Sequence, residues 1–209
     1  VEGFDACRKI AILTSLVAGK QVDFEKIHTE GITKISAVDF KYAKAMGRSI
    51  KLLATSRQAD GTYSALVAPH LLSTEHPLYS VNDVFNAVFV HGNVLGDAMF
   101  YGSGAGKLPT ASAVVADVVE MAKHLDQNIP VEWSKEELPL ADYKKNEKRF
   151  FVRTEADEAA VKAAFGEVEL VHADGISGEM GFVTGNMTEA AYEEKAAKLG
   201  KVLQMIRLA

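Results

Sequence analysis

The segment SIKLLATSRQADGTYSALVA, residues 49–68, has the pattern of a β-hairpin. Two runs rich in apolar and β-branched side chains, 49–56 and 62–68, flank an Asp60-Gly61 pair. That dipeptide is typical of a two-residue hairpin turn, because both of its positions tolerate a positive φ. Pro69 follows the second run, and we expect it to end the strand, since proline has no N–H to donate to a sheet.

Helical periodicity precedes the hairpin. Residues 3–18 place apolar side chains at three- and four-residue spacing, and Gly19 follows them as a typical helix C-cap. A second helix is predicted from Ser36 to Gly47, because Ser36 and Asp39 have nearly the spacing of a capping box.

A second hairpin is predicted further along the chain, with strands at 87–92 and 94–101 and a turn at Gly92-Asn93. A long helix follows from about residue 110 to residue 125, with an apolar face of valines. The next residues, 129–147, combine prolines with mixed charge and no periodicity, which is the composition of a linker.

The end of the chain has a different order of elements. Residues 149–208 show the pattern strand, helix, strand, strand, helix, strand, with Thr188 as the N-cap of the second helix. This β-α-β-β-α-β order is the ferredoxin-like pattern. We therefore predict an α+β protein with a mixed-sheet domain at 1–128, a linker at 129–147 and a small ferredoxin-like domain at 148–209.

Composition argues against several classes of function. The net charge is −5, whereas a nucleic-acid-binding surface needs a basic patch, so we expect no nucleic-acid partner. No apolar run approaches the ~20 residues of a membrane span, so we expect no membrane partner either. The single cysteine, Cys7, excludes a disulfide framework. We therefore predict a cytoplasmic protein. We also predict that Cys7 is buried and chemically inert.

Two residues at the head of the first helix could carry acid–base chemistry. Asp5 and Lys9 are four residues apart, which places both side chains on one face of a helix. A surface ion pair with this spacing contributes about 0.3–0.5 kcal/mol and needs no catalytic role. Spacing alone favours that structural interpretation, and a catalytic lysine would in addition need partial burial to lower its pKa.

A glycine-rich loop is the second candidate site. Gly102, Gly104 and Gly106 lie between a predicted strand and a predicted helix, where ligand atoms can approach backbone N–H groups closely. Lys107 stands where the dinucleotide fingerprint G-x-G-x-x-G needs a glycine, and the P-loop pattern is not matched either. A ligand-binding loop and a tight turn both remain possible interpretations.

Other polar residues give weaker signals. The hydroxyls of Thr110 and Ser112 could cap the helix after the glycine loop or contact a ligand, and capping is the more common role. The six histidines include no pair with the spacing of metal ligands on one element, so we expect no metal site. We expect His70 and His76 to lie in a loop and to make ordinary hydrogen bonds.

Several stretches, from residue 1 to about residue 125, resemble the homoserine dehydrogenase family. They are VEGFD and KIAIL within residues 1–13, GI and ISAVD within 31–39, IKLLA at 50–54, VFNAV at 84–88 and FYGSGAGKLPTASAVVAD at 100–117. The last run matches the family's GxGAGxxPTASAVVAD stretch, which is long and specific.

The resemblance implies an NAD(P)-dependent interconversion of aspartate 4-semialdehyde and homoserine, on the route to threonine, methionine and isoleucine. It implies that Asp5 helps to bind the substrate and that Lys9 donates a proton to the carbonyl oxygen as hydride arrives. It also implies a homodimer or homotetramer with the central sheet at its interface. The residues implied near the cofactor are Gly102, Gly104, Ala105, Gly106 and Thr110.

Two departures from the family pattern affect what we expect of this chain. The family's N-terminal dinucleotide-binding domain does not occur in it, and neither do the carboxylates just before the position of Val1. We therefore expect no tight binding of NAD(P) and no turnover by this chain alone. Lys107 replaces a glycine of many relatives, which could alter how closely the loop meets its ligand.

The last block resembles an ACT domain, a ferredoxin-like module that often senses amino acids. The turn at 154–159 lacks the D-x-P-G type of loop common in ACT ligand sites, which favours a structural or dimer-forming role over threonine feedback. A non-enzymatic ACT-type regulatory protein, or an amino-acid-binding dimer, is the alternative function.

Overall fold

A computed structural model of the chain describes residues 1–130 and 133–209. Of these, residues 1–73 and 133–209 form one compact unit, called here the sheet unit, and residues 74–130 form the other, called the hairpin unit. The helices are α1 (Phe4–Ala18), α2 (Ala37–Ala45), α3 (Lys107–Lys123), α4 (Glu158–Phe165) and α5 (Glu189–Ala196). The strands are β1 (Lys20–Gln21), β2 (His28–Thr29), β3 (Ser49–Ala59), β4 (Thr62–Leu72), β5 (Phe85–Gly92), β6 (Gly96–Ser103), β7 (Ser134–Glu137), β8 (Glu147–Lys148), β9 (Phe150–Thr154), β10 (Glu169–Val171), β11 (Met180–Val183), β12 (Met187–Thr188) and β13 (Val202–Leu208).

The sheet unit is built on one mixed sheet of seven strands. Its order is β10-β11-β9-β13-β4-β2, and β3 pairs with β4 as well. β13 and β2 run parallel to β4, and the remaining pairs are antiparallel. A mixed sheet with helices confirms the predicted α+β class.

The hairpin of β3 and β4 forms as predicted but is longer. It pairs from Ser49↔Leu72 to Ala59↔Thr62, and Asp60 and Gly61 turn the chain with φ values of 50° and 73°. The prediction that Pro69 ends the strand is wrong. β2 pairs with β4 at 66–67 and β13 pairs with it at 70–71, so Pro69 falls between the two partners and interrupts neither.

The ferredoxin-like order at the end of the chain is confirmed. Its strands lie in the order β10-β11-β9-β13, with α4 after β9 and α5 before β13. Asp157 and Thr188 cap these helices by accepting hydrogen bonds from Ala160 N–H (2.8 Å) and Ala191 N–H (3.2 Å). The sheet continues past β13 into β4, so these strands share one sheet with the β3–β4 hairpin.

Helices cover both faces of this sheet. α4 and α5 pack on the face of Phe150, whereas α2 packs against Phe151, the next residue of β9. The two faces are opposite because successive side chains of a strand alternate. α1 packs near Val67, on the same face as α2. The sheet therefore presents α1, with its candidate acid–base pair, on the face opposite to α4 and α5.

Two buried arginines link elements distant in sequence. Arg153 of β9 donates to Asp39 of α2 (2.6 Å) and to both carboxylate oxygens of Glu179 (2.8 and 2.7 Å). Arg207 of β13 donates to Glu30 (2.7 and 3.0 Å) and to both oxygens of Glu189 at the start of α5. Each guanidinium is therefore bound by two carboxylates, as burial of a charge requires.

The hairpin unit contains β5, β6 and α3. β5 and β6 pair from Phe85↔Ser103 to Gly92↔Gly96. The predicted turn at Gly92-Asn93 is wrong, because residues 93–95 connect the strands and Gly96 begins β6 with a φ of 73°. α3 begins at Lys107 rather than near residue 110. Pro109 is tolerated in its first turn because that turn needs no N–H donor.

The segment predicted as a linker contains regular structure. β7 pairs in parallel with β1, and residues 143–145 form a 3₁₀ turn; residues 131 and 132 lie outside the described residues. The domain boundaries at 1–128, 129–147 and 148–209 stay a prediction. Among the described helices, none is both long and apolar enough to cross a membrane.

We expect Gly181→Ala to lower the free energy of unfolding by about 1–3 kcal/mol, the usual range for overpacking a core. A Cβ at this position would lie 2.5 Å from Tyr42 Cε1 and 3.1 Å from Phe151 Cε2. Urea denaturation measures the loss. Gly185→Ala is the matched control, since a Cβ there meets no described atom within 4 Å. Equal stability of the two variants would contradict the packing described for α2.

The Glu30 ion pair predicts a pH dependence. Burial raises the pKa of Glu30, but its hydrogen bonds and charge interaction with Arg207, and then with His28, lower it from 4.5 to about 2. A carboxyl group with a lowered folded-state pKa stabilises the fold above pH 4.5 and loses this contribution as the pH falls towards 2. We expect the free energy of unfolding to fall less steeply over this range in Glu30→Gln than in the wild type.

Glu169→Gln is the control for this titration, because Glu169 pairs with Arg149 at an exposed position. Because exposed ion pairs contribute little to stability, this variant should have nearly the wild-type free energy of unfolding. A Glu30→Gln variant with the wild-type slope would show that the ion pair with Arg207 does not lower the pKa of Glu30 in the folded protein.

Candidate active site

The first candidate residues lie at the head of α1. Gly3 precedes the helix with a φ of 85°, a left-handed conformation that favours glycine, and its carbonyl accepts a hydrogen bond from Cys7 N–H (2.9 Å). Cys7, Ile10 and Ala11 are buried against the sheet. This side of the helix is fixed by apolar packing, which leaves another face of α1 to solvent.

Asp5 and Lys9 lie on that exposed face. Lys9 Nζ is 2.7 Å from Asp5 Oδ2, and the side chains are 67% and 83% exposed, respectively. The predicted i, i+4 pair therefore forms, and the described residues do not bury it. Asp5 also lines an open cavity of about 390 Å³ whose other walls are residues 1–4, Ala6 and Leu52.

The residues between Asp5 and Lys9 face elsewhere. Cys7 is 3% exposed and its thiol donates to the Phe24 carbonyl (3.3 Å), which confirms the predicted buried thiol. The Arg8 guanidinium lies 5.1 Å from the centre of the Phe24 ring. Neither side chain is directed at the acid–base pair.

Residues 29–32, called here the supporting segment, hold the start of the chain against the sheet. Ile32 N–H donates to the Val1 carbonyl (2.9 Å), and Glu30 N–H donates to the Val67 carbonyl of β4 (2.7 Å). A Cβ at Gly31 would collide with Val1 and would lie 2.6 Å from Glu2 Cα. In the sequence Gly31 interrupts the periodicity, and such a glycine is the signal for a close backbone approach.

The glycine loop belongs to the hairpin unit. Gly104 N–H donates to the Val84 carbonyl (3.1 Å), and a Cβ at Gly104 would lie 2.5 Å from Asn86 Cγ. Gly106 has a φ of 116°. The left-handed φ favours glycine at 106, whereas a side chain at 104 would require the exposed Asn86 side chain to move. A Cβ at Gly102, by contrast, would meet no described atom within 4 Å.

Thr110 does not cap α3. Because the helix begins at Lys107, Thr110 lies inside its first turn, where its N–H donates to the Gly106 carbonyl (3.1 Å). The prediction of a capping hydroxyl is wrong for this residue, and its contact with a cofactor stays a prediction.

The histidines provide no metal site among the described residues, where no group of three potential ligands occurs. His70 lies on β4, not in the predicted loop, and its Nδ1 is 2.9 Å from the Ala68 carbonyl oxygen. Burial, followed by the charge of Lys148, lowers the pKa of His70 to about 3, so the ring is neutral. His76 accepts a hydrogen bond from Leu78 N–H (3.1 Å).

Comparison with known proteins identifies the chain's relatives. A sequence model of the family described as homoserine dehydrogenase matches residues 1–119. The homoserine dehydrogenase of Mycobacterium bovis is 38% identical over 218 aligned positions, covering 93% of this chain and 49% of the relative. That of Synechocystis is 50% identical over 125 positions, covering 58% of this chain and 29% of the relative.

Solved structures agree. The crystal structure of a homoserine dehydrogenase from Thiobacillus denitrificans superposes with a TM-score of 0.83 at 27% identity, covering all of this chain and 53% of that one. The chain thus spans about half or less of the length of the relatives it matches. The matched range 1–119 contains Asp5, Lys9 and the glycine loop, and it extends over more than half of the 209 residues. The chain belongs to the homoserine dehydrogenase family.

Proposed function

We propose that the protein acts as a homoserine dehydrogenase, interconverting L-homoserine and L-aspartate 4-semialdehyde with NAD(P). The observation that carries this proposal is the family match over residues 1–119, a stretch that contains the Asp5–Lys9 pair and the residues of the cavity at the head of α1. The test is reduction of NAD(P) by homoserine, measured on the protein encoded by the complete natural reading frame.

Lys9 is proposed as the proton-transferring group. When the aldehyde is reduced, its carbonyl carbon receives hydride and its oxygen acquires negative charge, so a proton must reach that oxygen. The Lys9 ammonium carries such a proton on a flexible, exposed stem. In the reverse direction the amine of Lys9 takes the hydroxyl proton of homoserine as hydride leaves the carbon.

Asp5 is proposed to bind and orient the substrate. Both the substrate and the product carry an ammonium group, which a carboxylate can bind by a charge-assisted hydrogen bond. Asp5 lines the cavity at the head of α1 and also contacts Lys9, so one carboxylate can orient the substrate and the proton donor together.

The glycine loop fits a role beside the cofactor. Bound NAD(P) supplies a nicotinamide ring that accepts or delivers hydride. Gly102 has open space where a side chain would stand, so the backbone there can approach a flat ring closely. Gly104, Ala105, Gly106 and Thr110 are proposed to shape this approach, and Lys107 adds a cation beside it.

A homodimer or homotetramer is proposed as the assembly. The hairpin unit leaves apolar side chains on both β5–β6 and α3 largely exposed in the isolated chain, a typical feature of interfaces. The most exposed of these include Phe100 (69%), Val115 (60%) and Met121 (70%). We propose a cytoplasmic location, consistent with a buried, unpaired Cys7.

The ferredoxin-like strands are proposed to serve as a structural, ACT-like module, because β13 pairs directly with β4 of the hairpin. A purely regulatory, non-enzymatic protein is not favoured, since the family match falls on the stretch with the acid–base pair and the glycine loop.

We expect Lys9→Met to lower kcat for homoserine oxidation by about a hundredfold or more, the usual contribution of a general acid–base group. The thermal unfolding midpoint should change little, because exposed ion pairs contribute little to stability. Lys162→Met is the matched control, since Lys162 forms the same i, i+4 pair with Glu158 (2.6 Å) on the exposed face of α4. Full activity of Lys9→Met would contradict the proposal that Lys9 transfers the proton.

We expect Gly102→Ala to raise the KM for NAD(P) while leaving the fold intact, because the added methyl group meets no described atom but would stand where the cofactor approaches. Steady-state kinetics with varied NAD(P) and a thermal melt measure the two effects. Gly185→Ala, also at an open position, should change neither. An unchanged KM in Gly102→Ala would place the cofactor elsewhere.

A further inference from the structure

We propose that Arg207 is a positioning residue for the reaction: through Glu30 it fixes the supporting segment, and so it sets where Asp5 meets the substrate. This inference rests on the proposed function. It links the last strand of the ferredoxin-like order to the head of α1, although the two are separated by almost the whole chain.

Arg207 is held rigidly. It is 1% exposed, and its Nε donates to Glu189 Oε2 (2.8 Å) while Nη2 contacts the second oxygen of the same carboxylate. Glu189 is itself buried at the start of α5 and is 4% exposed. The guanidinium thus binds two carboxylates. Glu189 fixes it to α5, and Glu30 connects it to the supporting segment.

Glu30 joins this arginine to the supporting segment. Its two oxygens accept from Arg207 Nη1 (3.0 Å) and Nη2 (2.7 Å), a bidentate geometry that restrains both side chains. Its own N–H donates to the Val67 carbonyl (2.7 Å). His28 Nε2 lies 2.7 Å from Glu30 Oε1, which completes the polar contacts of the carboxylate.

The supporting segment in turn fixes the head of α1. Ile32 N–H binds the Val1 carbonyl, and Gly31 is packed so closely on residues 1 and 2 that a side chain has no room. A Cβ on Gly3 would lie 3.0 Å from Thr29 Cγ2 and 3.5 Å from the Glu30 carbonyl oxygen. Asp5 follows two residues later, so a shift of Glu30 moves the helix start that carries it.

The second buried arginine, Arg153, has similar ion pairs but does not contact the supporting segment. Arg153 also binds two carboxylates, Asp39 and Glu179, and is 7% exposed. Its contacts lead to α2 and not to the supporting segment. Loss of a carboxylate from either arginine should weaken the fold, but only the Glu30 contact should change the placement of Asp5.

The test compares Glu30→Gln with Glu179→Gln in the protein encoded by the complete natural reading frame. Both changes remove one charge from a bidentate Arg–Glu pair and leave the other carboxylate, Glu189 or Asp39, in place. The KM and kcat for homoserine are measured, together with amide hydrogen exchange at Ile32 and Cys7, whose N–H groups bind Val1 and Gly3.

We expect Glu30→Gln to raise the KM for homoserine by about tenfold, with a smaller change in kcat, because misplacement of a binding group weakens productive binding. Exchange at Ile32 and Cys7 should quicken in the same variant. Glu179→Gln should keep the wild-type KM and the wild-type exchange at these two amides.

The inference is overturned if Glu30→Gln has the KM of Glu179→Gln, or if exchange at Ile32 and Cys7 is unchanged. A wild-type protein that does not oxidise homoserine overturns the proposed function instead. In that case the exchange rates still decide whether Glu30 and Arg207 position the head of α1.

Discussion

The ion pairs of Arg207 with Glu30 and Glu189 are the interaction on which the rest of the structure depends. The parallel pairing of β13 with β4 joins the ferredoxin-like strands to the β3–β4 hairpin, and it extends over two residue pairs, at Arg207 and Leu208. Such a short pairing gives little stability by itself. Arg207 adds a buried, doubly bound guanidinium at this junction. Its pair with Glu189 is buried on both sides, and removing one partner of such a pair typically costs about 3–5 kcal/mol.

The same junction explains where the candidate active site lies. Pairing of β2 and β13 on one edge of β4 brings Glu30, at the end of β2, beside Arg207. The supporting segment then holds residues 1–3, and α1 lies on the sheet face opposite to α4 and α5. Burial of Cys7, Ile10 and Ala11 turns the face of Asp5 and Lys9 to solvent. The acid–base pair is thus exposed because the opposite side of its helix is fixed.

Local signals predicted most of the elements. Asp60-Gly61 fixes the β3–β4 turn through backbone geometry, and Thr188 identifies the start of α5 through its hydroxyl, so both were readable from a few residues. The Asp5–Lys9 contact was predictable from helical periodicity alone. Pro69 was misinterpreted because its effect depends on which neighbouring strand lies beside it, and that is decided by residues far away in the chain.

Long-range contacts were not predictable from spacing. Glu30 and Arg207 are 177 residues apart, and their sequence neighbourhoods give no sign of the ion pair. Gly102 and Gly104 look equivalent in the sequence, yet a Cβ at 104 would lie 2.5 Å from Asn86 Cγ, whereas a Cβ at 102 would meet no described atom within 4 Å. The role of a glycine in such a loop depends on a neighbouring strand, so composition alone could not separate the two.

Native-state amide hydrogen exchange tests the central claim most directly, namely that the strands on both sides of the Arg207 junction form one cooperative unit. The measurement compares the free energy of opening for amides of β9 and β13 with that for amides of β3 and β4. We predict equal free energies and the same dependence on denaturant in both groups. If β9 and β13 open at a clearly lower free energy than β3 and β4, the ferredoxin-like strands are a separate domain, and the Arg207 junction does not unite the sheet.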